Sequence, residues 1–273
     1  MILVNGLQAD SIPVDDRGLA YGDGLFETIE ISHGQPLLWR RHLKRLKQGC
    51  AVLGMASYDD DVWLNDCLKL ADRQEHAIIK LMLTRGSGGR GYRPDANSLG
   101  RRIVSLHSWP LYPQEHISEG VRLFKCETPV TENSRLAGLK TLCRLEQVMA
   151  QMEWQVPEFD EGLMLTADND VIEGTRSNVF IVKNGVLLTP ELKRAGIKGI
   201  MRDVIIEMAT KSGMIVKEVV LDHGTFIDAD EIFLCNSILK IWPVKDYLGK
   251  YYGPGACTKT LMTMVSNQLG DYE

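Results

Sequence analysis

The sequence predicts a mixed α/β protein in two domains, and three observations point to this class. With 273 residues, 44% of them hydrophobic, the chain is long enough to bury two medium-sized cores. Short apolar runs typical of strands alternate with segments whose apolar residues recur at helical spacing. The stretch WPLYPQEHISEG has the composition of an interdomain linker. We therefore expect a smaller α/β domain at residues 1–108, a linker at 109–119 and a larger α/β domain at 120–273.

The first domain is predicted to open with an antiparallel sheet. The short apolar runs ILVNG and PLLW and the strand-like LFETIEI are separated by the turn signals DDRG, YGDG and SHGQ, in which Asp15 and Asp16 are interpreted as turn residues. Helical spacing then predicts helices from Arg40 to Met55 and from Asp59 to Arg73. HAIIKLMLTR and RRIVSLHSW predict buried strands. The glycine-rich, basic segment between them, RGSGGRGYRPDANSLG, is long for a connector and is more typical of a binding loop.

The second domain is predicted to mix strands and helices. A helix is expected to begin at Lys140, after a glycine that permits a tight turn, and another helix runs from Gly199 to Ser212. The runs EGLMLTA, SNVFIVK, GVLLT, MIVKEVV and EIFLCNS predict strands. The sequence contains no internal repeat or low-complexity tract.

Composition and charge exclude several classes of function. A net charge of -5 gives no general attraction to nucleic acid or anionic membranes, so neither is an expected partner. The RGSGGRGYR stretch also has the look of an RNA-binding segment, but the acidic chain and the flanking strands disfavour that alternative. No apolar run is long enough to span a membrane, and the histidines show no metal-ligand spacing, so no catalytic metal is expected. The six widely spaced cysteines indicate reduced thiols in a cytoplasmic protein.

Several residues have functional potential, although each is a weak signal alone. Lys140 could be an ordinary solvated lysine, and Glu173 is a carboxylate at a strand end that could protonate a pyridine nitrogen. The predicted helix at Gly199 could receive a phosphate on its free backbone N–H groups. Asn236 and Ser237 end a buried strand with short hydrogen-bonding side chains. Their combination is more informative than any one of them.

Seven blocks of the sequence resemble, in order, the signature blocks of fold-type IV pyridoxal-phosphate (PLP) enzymes. They are YGDGLFET, HLKRL, RGSGGRGY, AGLKTLCRLEQV, EGTRSNVF, GIMR and CNSILKIWPV, and they run nearly the whole length of the chain. The family contains branched-chain aminotransferases, D-amino acid aminotransferases and aminodeoxychorismate lyases, which bind PLP covalently through one lysine. The resemblance implies a two-lobed fold with PLP in the cleft between the lobes, and a homodimer.

The resemblance also implies roles for individual residues. Lys140 matches the PLP lysine, and Glu173 matches the acid that keeps the pyridine nitrogen protonated. The groups that match the phosphate site are the side chain of Arg45, the backbone N–H groups of Ile200 and Met201, the side chain of Ser237 and, less strongly, that of Asn236.

Two blocks, RGSGGRGY and LKTLCRLEQV, are more similar to the aminodeoxychorismate lyases than to either aminotransferase group. Within that group, Arg90 and Tyr92 match positions that contact the substrate carboxylate in the neighbouring subunit's site. Phe26 stands where D-amino acid aminotransferases tend to have a tyrosine, which favours the lyase because a phenyl ring cannot donate a hydrogen bond. Thr28 matches a position near the cofactor, where it could orient the substrate or shuttle a proton.

The expected reaction is therefore the conversion of 4-amino-4-deoxychorismate to 4-aminobenzoate, a folate precursor, and pyruvate, with Lys140 as general base. Two residues depart from the lyase pattern: Glu27 resembles the aminotransferases, and Cys143 stands where an asparagine is frequent. The alternatives are an aminotransferase for D- or branched-chain amino acids, and a protein that keeps the fold without turnover.

Overall fold

The computed structural model describes residues 1–95 and 98–269, so Ala96 and Asn97 of the predicted binding loop lie outside the described residues. It is a mixed α/β structure, which confirms the predicted fold class. The chain divides into two compact units. The first unit comprises Met1–Pro110 and Leu139–Cys143, and the second comprises Leu111–Gly138 and Arg144–Glu273.

The first unit is built on a six-stranded antiparallel sheet with strand order β2-β1-β6-β5-β3-β4. Its strands are β1 (Ile2–Val4), β2 (Leu7–Gln8), β3 (Gly24–Ser32), β4 (Gln35–Pro36), β5 (His76–Thr84) and β6 (Arg101–Ser108). The antiparallel opening predicted from the alternating runs is therefore present. Strands β3, β5 and β6 are adjacent and are the longest in this sheet, so their side chains form most of its two faces.

Three helices accompany this sheet: α1 (Arg17–Tyr21), α2 (Trp39–Leu53) and α3 (Asp60–Ala71). Helices α2 and α3 lie where helical spacing predicted them, and Leu43, Leu46 and Cys50 of α2 pack in one buried cluster with the apolar residues of β3. Helix α1 was not predicted. It forms because Asp16, interpreted above as a turn residue, is fully buried and accepts a hydrogen bond from the Gly18 amide as its N-cap.

The second unit contains a mixed ten-stranded sheet with strand order β12-β11-β10-β14-β15-β7-β8-β9-β13, and β16 pairs with β15. Strand β7 runs parallel to β8 and β15, and β11 runs parallel to β12. The strands are β7 (Val121–Lys125), β8 (Glu161–Leu165), β9 (Asp170–Gly174), β10 (Asn178–Lys183), β11 (Val186–Pro190), β12 (Val216–Val219), β13 (Leu221–Asp222), β14 (Glu231–Asn236), β15 (Lys240–Tyr247) and β16 (Lys250–Tyr251).

The helices of the second unit are α4 (Glu115–Ser118), α5 (Leu145–Gln151), α6 (Ile200–Lys211), α7 (His223–Ile227) and α8 (Ala256–Leu269). Helix α4 lies inside the predicted linker at 109–119. Helix α6 matches the predicted helix, with Gly199 as its N-cap. Among the described residues, no helix combines the length and apolarity that a membrane crossing requires.

A buried ion pair joins α3 to the sheet of the first unit. Arg102 of β6 donates from Nε to Asp66 Oδ2 over 2.7 Å, and its guanidinium lies 4.7 Å from the Tyr58 ring centroid. We expect Asp66→Ala to lower the free energy of unfolding by about 3 kcal/mol, because it leaves a buried guanidinium without its carboxylate. Urea denaturation measures this. The control is Asp60→Ala, which breaks an exposed pair with Lys47 and costs less than about 1 kcal/mol; equal losses in both variants contradict the prediction.

Candidate active site

Lys140 lies on an extended segment that pairs with the start of β3. The Phe26 amide donates to the Lys140 carbonyl over 2.9 Å, and the Leu142 amide donates to the Gly24 carbonyl over 3.0 Å. The prediction that Lys140 begins a helix is therefore wrong: α5 begins at Leu145. The apolar spacing belongs to α5, whereas the backbone of the lysine segment is already engaged by β3 and cannot also form helical hydrogen bonds.

Gly24 permits the close approach of this segment to β3. A Cβ atom at position 24 would lie 2.7 Å from Leu142 Cδ1 and closer still to the Leu83 backbone carbonyl of β5, so both neighbours favour glycine. The pairing also places Leu139–Cys143 in the first unit, although the predicted domain boundaries assign the lysine to the second domain. The lysine segment belongs to the first unit because it contacts β3, although its neighbours along the chain belong to the second unit.

The structure brings Lys140, Phe26 and Thr28 together in the first unit. Lys140 Nζ lies 4.2 Å from the centroid of the Phe26 ring, and Phe26 and Thr28 share one face of β3 by strand alternation. A second amine, Lys80 Nζ, lies 5.2 Å from the same ring and stands opposite Thr28 in the sheet. Sequence reasoning missed Lys80, although its place in the HAIIKLMLT run was a usable signal.

The other face of β3 holds a buried charged cluster. The Glu27 carboxylate, 1% exposed, accepts a hydrogen bond of 2.8 Å from Arg45 Nε and another from Arg45 Nη2, and it lies 2.7 Å from His42 Nδ1. Burial alone would raise the pKa of Glu27, but the Arg45 charge and the hydrogen bonds from Arg45 and His42 outweigh burial and lower the pKa to about 2. Glu27 is therefore a carboxylate at neutral pH.

His42 is the neutral member of this cluster. Burial lowers its pKa most, the bond to Glu27 opposes that effect, and the charges of Arg45 and Lys140 lower the pKa further. A neutral imidazole beside a carboxylate carries its proton on the facing nitrogen, so Nδ1 donates to Glu27. Sequence reasoning placed Arg45 at a phosphate and missed His42; the structure shows Arg45 bound to Glu27, and its role toward a phosphate stays a prediction.

The loop residues Arg90 and Tyr92 are exposed in the first unit. The Tyr92 ring packs 5.5 Å from the ring of Tyr21, the last residue of α1. Their predicted contact with a substrate stays a prediction.

In the second unit, Glu173 is a buried carboxylate near the end of β9. Its Oε2 accepts a hydrogen bond of 2.8 Å from the Ile197 amide. Gly196 adopts φ +79°, and a Cβ atom there would lie 2.7 Å from Ile172 Cγ2. A larger residue at 196 would therefore force the Ile197 amide away from Glu173.

Helix α6 begins three residues after Ile197, the residue whose amide binds this carboxylate. Its N-cap, Gly199, provides no side-chain hydrogen bond, and the residues of its first turn, Ile200 and Met201, are buried. Uncapped backbone N–H groups at a helix start form a ready anion site. Arg202, 2% exposed, holds the helix by donating from Nη2 to the Pro190 carbonyl over 2.8 Å and to Glu218 over 2.7 Å.

Asn236 and Ser237 differ in how the structure uses them. The Asn236 side chain closes its own turn: Oδ1 accepts from the Ile238 and Leu239 amides, and Nδ2 donates to the Arg176 carbonyl over 3.0 Å. Ser237 is half-buried in that turn. Their predicted contacts with a phosphate stay predictions.

Glu161 was not foreseen from the sequence, yet it orders the turn after Glu173. Its fully buried carboxylate accepts hydrogen bonds from the Thr175 amide over 3.1 Å, from the Thr175 hydroxyl and from Arg176 Nε over 3.1 Å. A glutamate opening a strand run such as EGLML gives no sequence signal for this role. Within residues 1–95 and 98–269, no group of His, Cys, Asp and Glu side chains has the arrangement of a metal site.

Replacing Glu27 with Gln tests the buried cluster. We expect the free energy of unfolding near neutral pH to fall by about 3 kcal/mol, because the guanidinium of Arg45 loses its carboxylate. Since the folded pKa is below the ordinary value of 4.5, the contribution of Glu27 is present above pH 4.5 and is lost as the pH falls toward about 2. Urea denaturation from neutral to acid pH should show the difference between wild type and variant shrinking below pH 4.5. A constant difference throughout would refute the assigned charge state.

Comparison with known proteins gives consistent relatives over nearly the whole chain. The family model "Amino-transferase class IV" matches residues 24–247. The aminodeoxychorismate lyase of Vibrio harveyi is 35% identical over 89% of this chain and 90% of that protein. A putative branched-chain-amino-acid aminotransferase of Methanocaldococcus jannaschii is 31% identical over 91% of this chain and 88% of that protein.

A solved structure of the 4-amino-4-deoxychorismate lyase from Pseudomonas aeruginosa superposes with a TM-score of 0.95, at 40% identity, covering 99% of this chain and 100% of that chain. An Escherichia coli branched-chain amino acid aminotransferase gives a TM-score of 0.88 at 25% identity, covering 99% of this chain and 95% of that chain. The family resemblance inferred from the seven sequence blocks is confirmed, and the chain belongs to the class IV aminotransferase family.

Proposed function

We propose that this chain is a PLP-dependent lyase that converts 4-amino-4-deoxychorismate to 4-aminobenzoate and pyruvate. The observation that carries the proposal is the likeness to two aminodeoxychorismate lyases at 35% and 40% identity over nearly the whole chain. The aminotransferase relatives named above are 31% and 25% identical. The second candidate, an aminotransferase, is supported by those relatives and by Glu27, but it is not favoured.

The groups present fit PLP. Lys140 offers an amine for the aldehyde, Glu173 is a carboxylate already positioned by a backbone amide, and the uncapped start of α6 suits a phosphate dianion. When bound, PLP supplies a protonated ring that accepts the electron pair left on the substrate carbon. Each of these groups matches one functional group of the cofactor.

We assign Lys140 as the residue that binds PLP and then as the general base. Its amine removes the proton from the carbon that bears the substrate's amino group. Loss of that proton and departure of the enolpyruvyl group as pyruvate leave an aromatic ring, which is 4-aminobenzoate. Two backbone hydrogen bonds to β3 fix the Lys140 segment, and the Phe26 ring limits where its amine can lie. Thr28, on the same face of β3, is assigned to orient the substrate or pass on the proton.

The remaining assignments concern binding. Glu173 keeps the ring nitrogen protonated, with its second oxygen held by the Ile197 amide. The proposed phosphate groups are the backbone N–H groups of Ile200 and Met201 and the side chains of Arg45, Ser237 and Asn236. For Arg45, two guanidinium nitrogens bind Glu27, so its orientation depends on that carboxylate.

We propose that the enzyme is a homodimer, in which Arg90 and Tyr92 of one subunit contact the substrate carboxylate bound by the other. Both side chains are exposed on the single chain. Helix α5 and the residue after it also present an exposed apolar stripe at helical spacing, formed by Leu145, Val148, Met149 and Met152. Contiguous exposed apolar side chains are typical of protein interfaces.

We also propose a cytoplasmic location, because all six cysteines are unpaired and five of them are at least partly buried thiols. Reduced thiols are the rule in that compartment.

The lyase proposal is tested with purified protein, PLP and 4-amino-4-deoxychorismate, without any keto acid. We expect wild type to release pyruvate and 4-aminobenzoate in equal amounts. Lys140→Ala should lower kcat by about a thousand-fold or more, because it removes the general base. The control is Lys193→Ala, an exposed lysine of the second unit, which should keep wild-type activity. If wild type forms neither product but transfers the amino group of D-alanine or leucine to 2-oxoglutarate, the aminotransferase proposal replaces the lyase proposal.

The homodimer is tested by replacing two residues of the apolar stripe, Met149→Glu with Met152→Glu. We expect light scattering to give about twice the chain mass of 30.6 kDa for wild type and the single-chain mass for the double variant. Buried carboxylates would be strongly unfavourable at an apolar interface. Lys259→Glu, on the exposed side of α8, is the control and should remain a dimer. A monomeric wild type, or a double variant that stays dimeric, argues against this interface.

A further inference from the structure

The loop that follows β5 has a backbone that only glycine adopts easily. Gly86, Gly88, Gly89 and Gly91 all have positive φ, at +80°, +120°, +81° and +61°. Glycine loses more conformational freedom on ordering than any other residue. A loop of this composition therefore needs contacts from outside itself to keep one conformation, and those contacts come from a residue far away in sequence.

Arg17, the first residue of α1, supplies them. Its side chain is almost completely buried, with Nη1 donating to the Gly91 carbonyl over 2.9 Å and Nη2 donating to the Tyr92 carbonyl over 3.0 Å. Its own amide donates to the Gly86 carbonyl over 2.9 Å. One residue thus binds the loop both at its start and beside its exposed Tyr92.

The guanidinium of Arg17 is itself oriented by a second ion pair. Its Nε donates to Asp23 Oδ2 over 2.9 Å, and the same oxygen accepts from Arg85 Nε over 2.8 Å. Burial would raise the pKa of Asp23, but the bonds and charges of Arg85 and Arg17 lower the pKa overall, so Asp23 stays charged. Arg85 in turn donates to the carbonyls of Leu53 and Gly54 at the end of α2.

Aromatic contacts extend this arrangement to the Tyr92 side chain. The Arg17 guanidinium lies 4.9 Å from the centroid of the Tyr21 ring, and the Tyr21 ring lies 5.5 Å from that of Tyr92. Tyr92 is nevertheless 87% exposed. The Tyr92 side chain is therefore exposed while its carbonyl is bound by Arg17 and its ring contacts Tyr21.

We propose that Arg17 is a positioning residue that holds residues 86–92 in the conformation presenting Arg90 and Tyr92 to the substrate carboxylate. The proposal rests on the proposed function, which gives these two side chains their substrate. A guanidinium is required because its planar N–H groups reach one carboxylate and two successive carbonyls at once. An ammonium group at the end of a lysine can satisfy the charge of Asp23 but cannot make all three bonds in this geometry.

The test uses the full-length, PLP-loaded protein with Arg17→Lys. Amide hydrogen exchange should become at least about tenfold faster in residues 86–93, with β5 and β6 unchanged. The KM for 4-amino-4-deoxychorismate should rise about tenfold with kcat within twofold of wild type, because a disordered loop weakens binding rather than chemistry. The control is Arg73→Lys, whose exposed side chain lies 3.5 Å from the Asp72 carboxylate in a surface ion pair. It should change neither quantity.

Three results overturn the proposal: exchange in the loop that does not change, exchange that rises equally throughout the first unit, and faster loop exchange with an unaltered KM. If Arg17→Lys does not fold, Tyr21→Ala replaces it, since Tyr21 is part-exposed and contacts both Arg17 and Tyr92. Faster loop exchange with a raised KM in that variant supports the proposal, and unchanged values of both overturn it. A wild-type protein without lyase activity would instead defeat the proposed function, and loop exchange would still decide whether Arg17 holds the loop.

Discussion

The pairing of the Leu139–Cys143 segment with the start of β3 fixes the position of Lys140 in the first unit, and the arrangement of Lys140 beside Phe26 and Thr28 depends on it. Two backbone hydrogen bonds, from Phe26 and from Leu142, tie the segment to the strand. Backbone bonds of this kind do not depend on side-chain rotamers, so the Cα of the lysine is fixed even though its side chain is long and flexible. Gly24 lies where any larger residue would meet both the Leu142 side chain and the Leu83 backbone carbonyl of β5, so a substitution there would disturb the start of β3.

Strand β3 then gives the site two chemically different sides. One side carries Phe26 and Thr28 beside the lysine amine, and the other carries Glu27 in a buried cluster with Arg45 and His42. Because side chains alternate along a strand, Phe26 and Thr28 lie on the partly exposed face and Glu27 lies on the buried one. The buried cluster is costly to disrupt because each charge depends on its partner. The geometry of β3 therefore links the stability of the first unit to the placement of the groups assigned to catalysis.

The sequence was sufficient for the fold class, for helices α2, α3 and α6, and for the strands on either side of the glycine-rich loop, because those segments have clear periodicity and turn residues. It failed at Lys140, where apolar spacing that belongs to α5 was extended over a segment engaged by β3. It also failed at Glu161 and His42, since nothing in the local sequence distinguishes a buried carboxylate or imidazole with distant partners from an exposed one. At Asp16 it predicted a turn where the side chain caps the short helix α1. Local patterns encode local structure, whereas Glu161 and His42 act through partners far along the chain.

The most direct test of the account is to locate the cofactor on the chain. The PLP-loaded wild-type protein is treated with borohydride, which makes the bond between cofactor and lysine permanent, then digested and analysed by mass spectrometry. If Lys140 is the PLP lysine, the pyridoxyl group will be found on Lys140, in the peptide that contains the segment paired with β3. Stoichiometric labelling of a different lysine, such as Lys80 beside the same Phe26 ring, would contradict it.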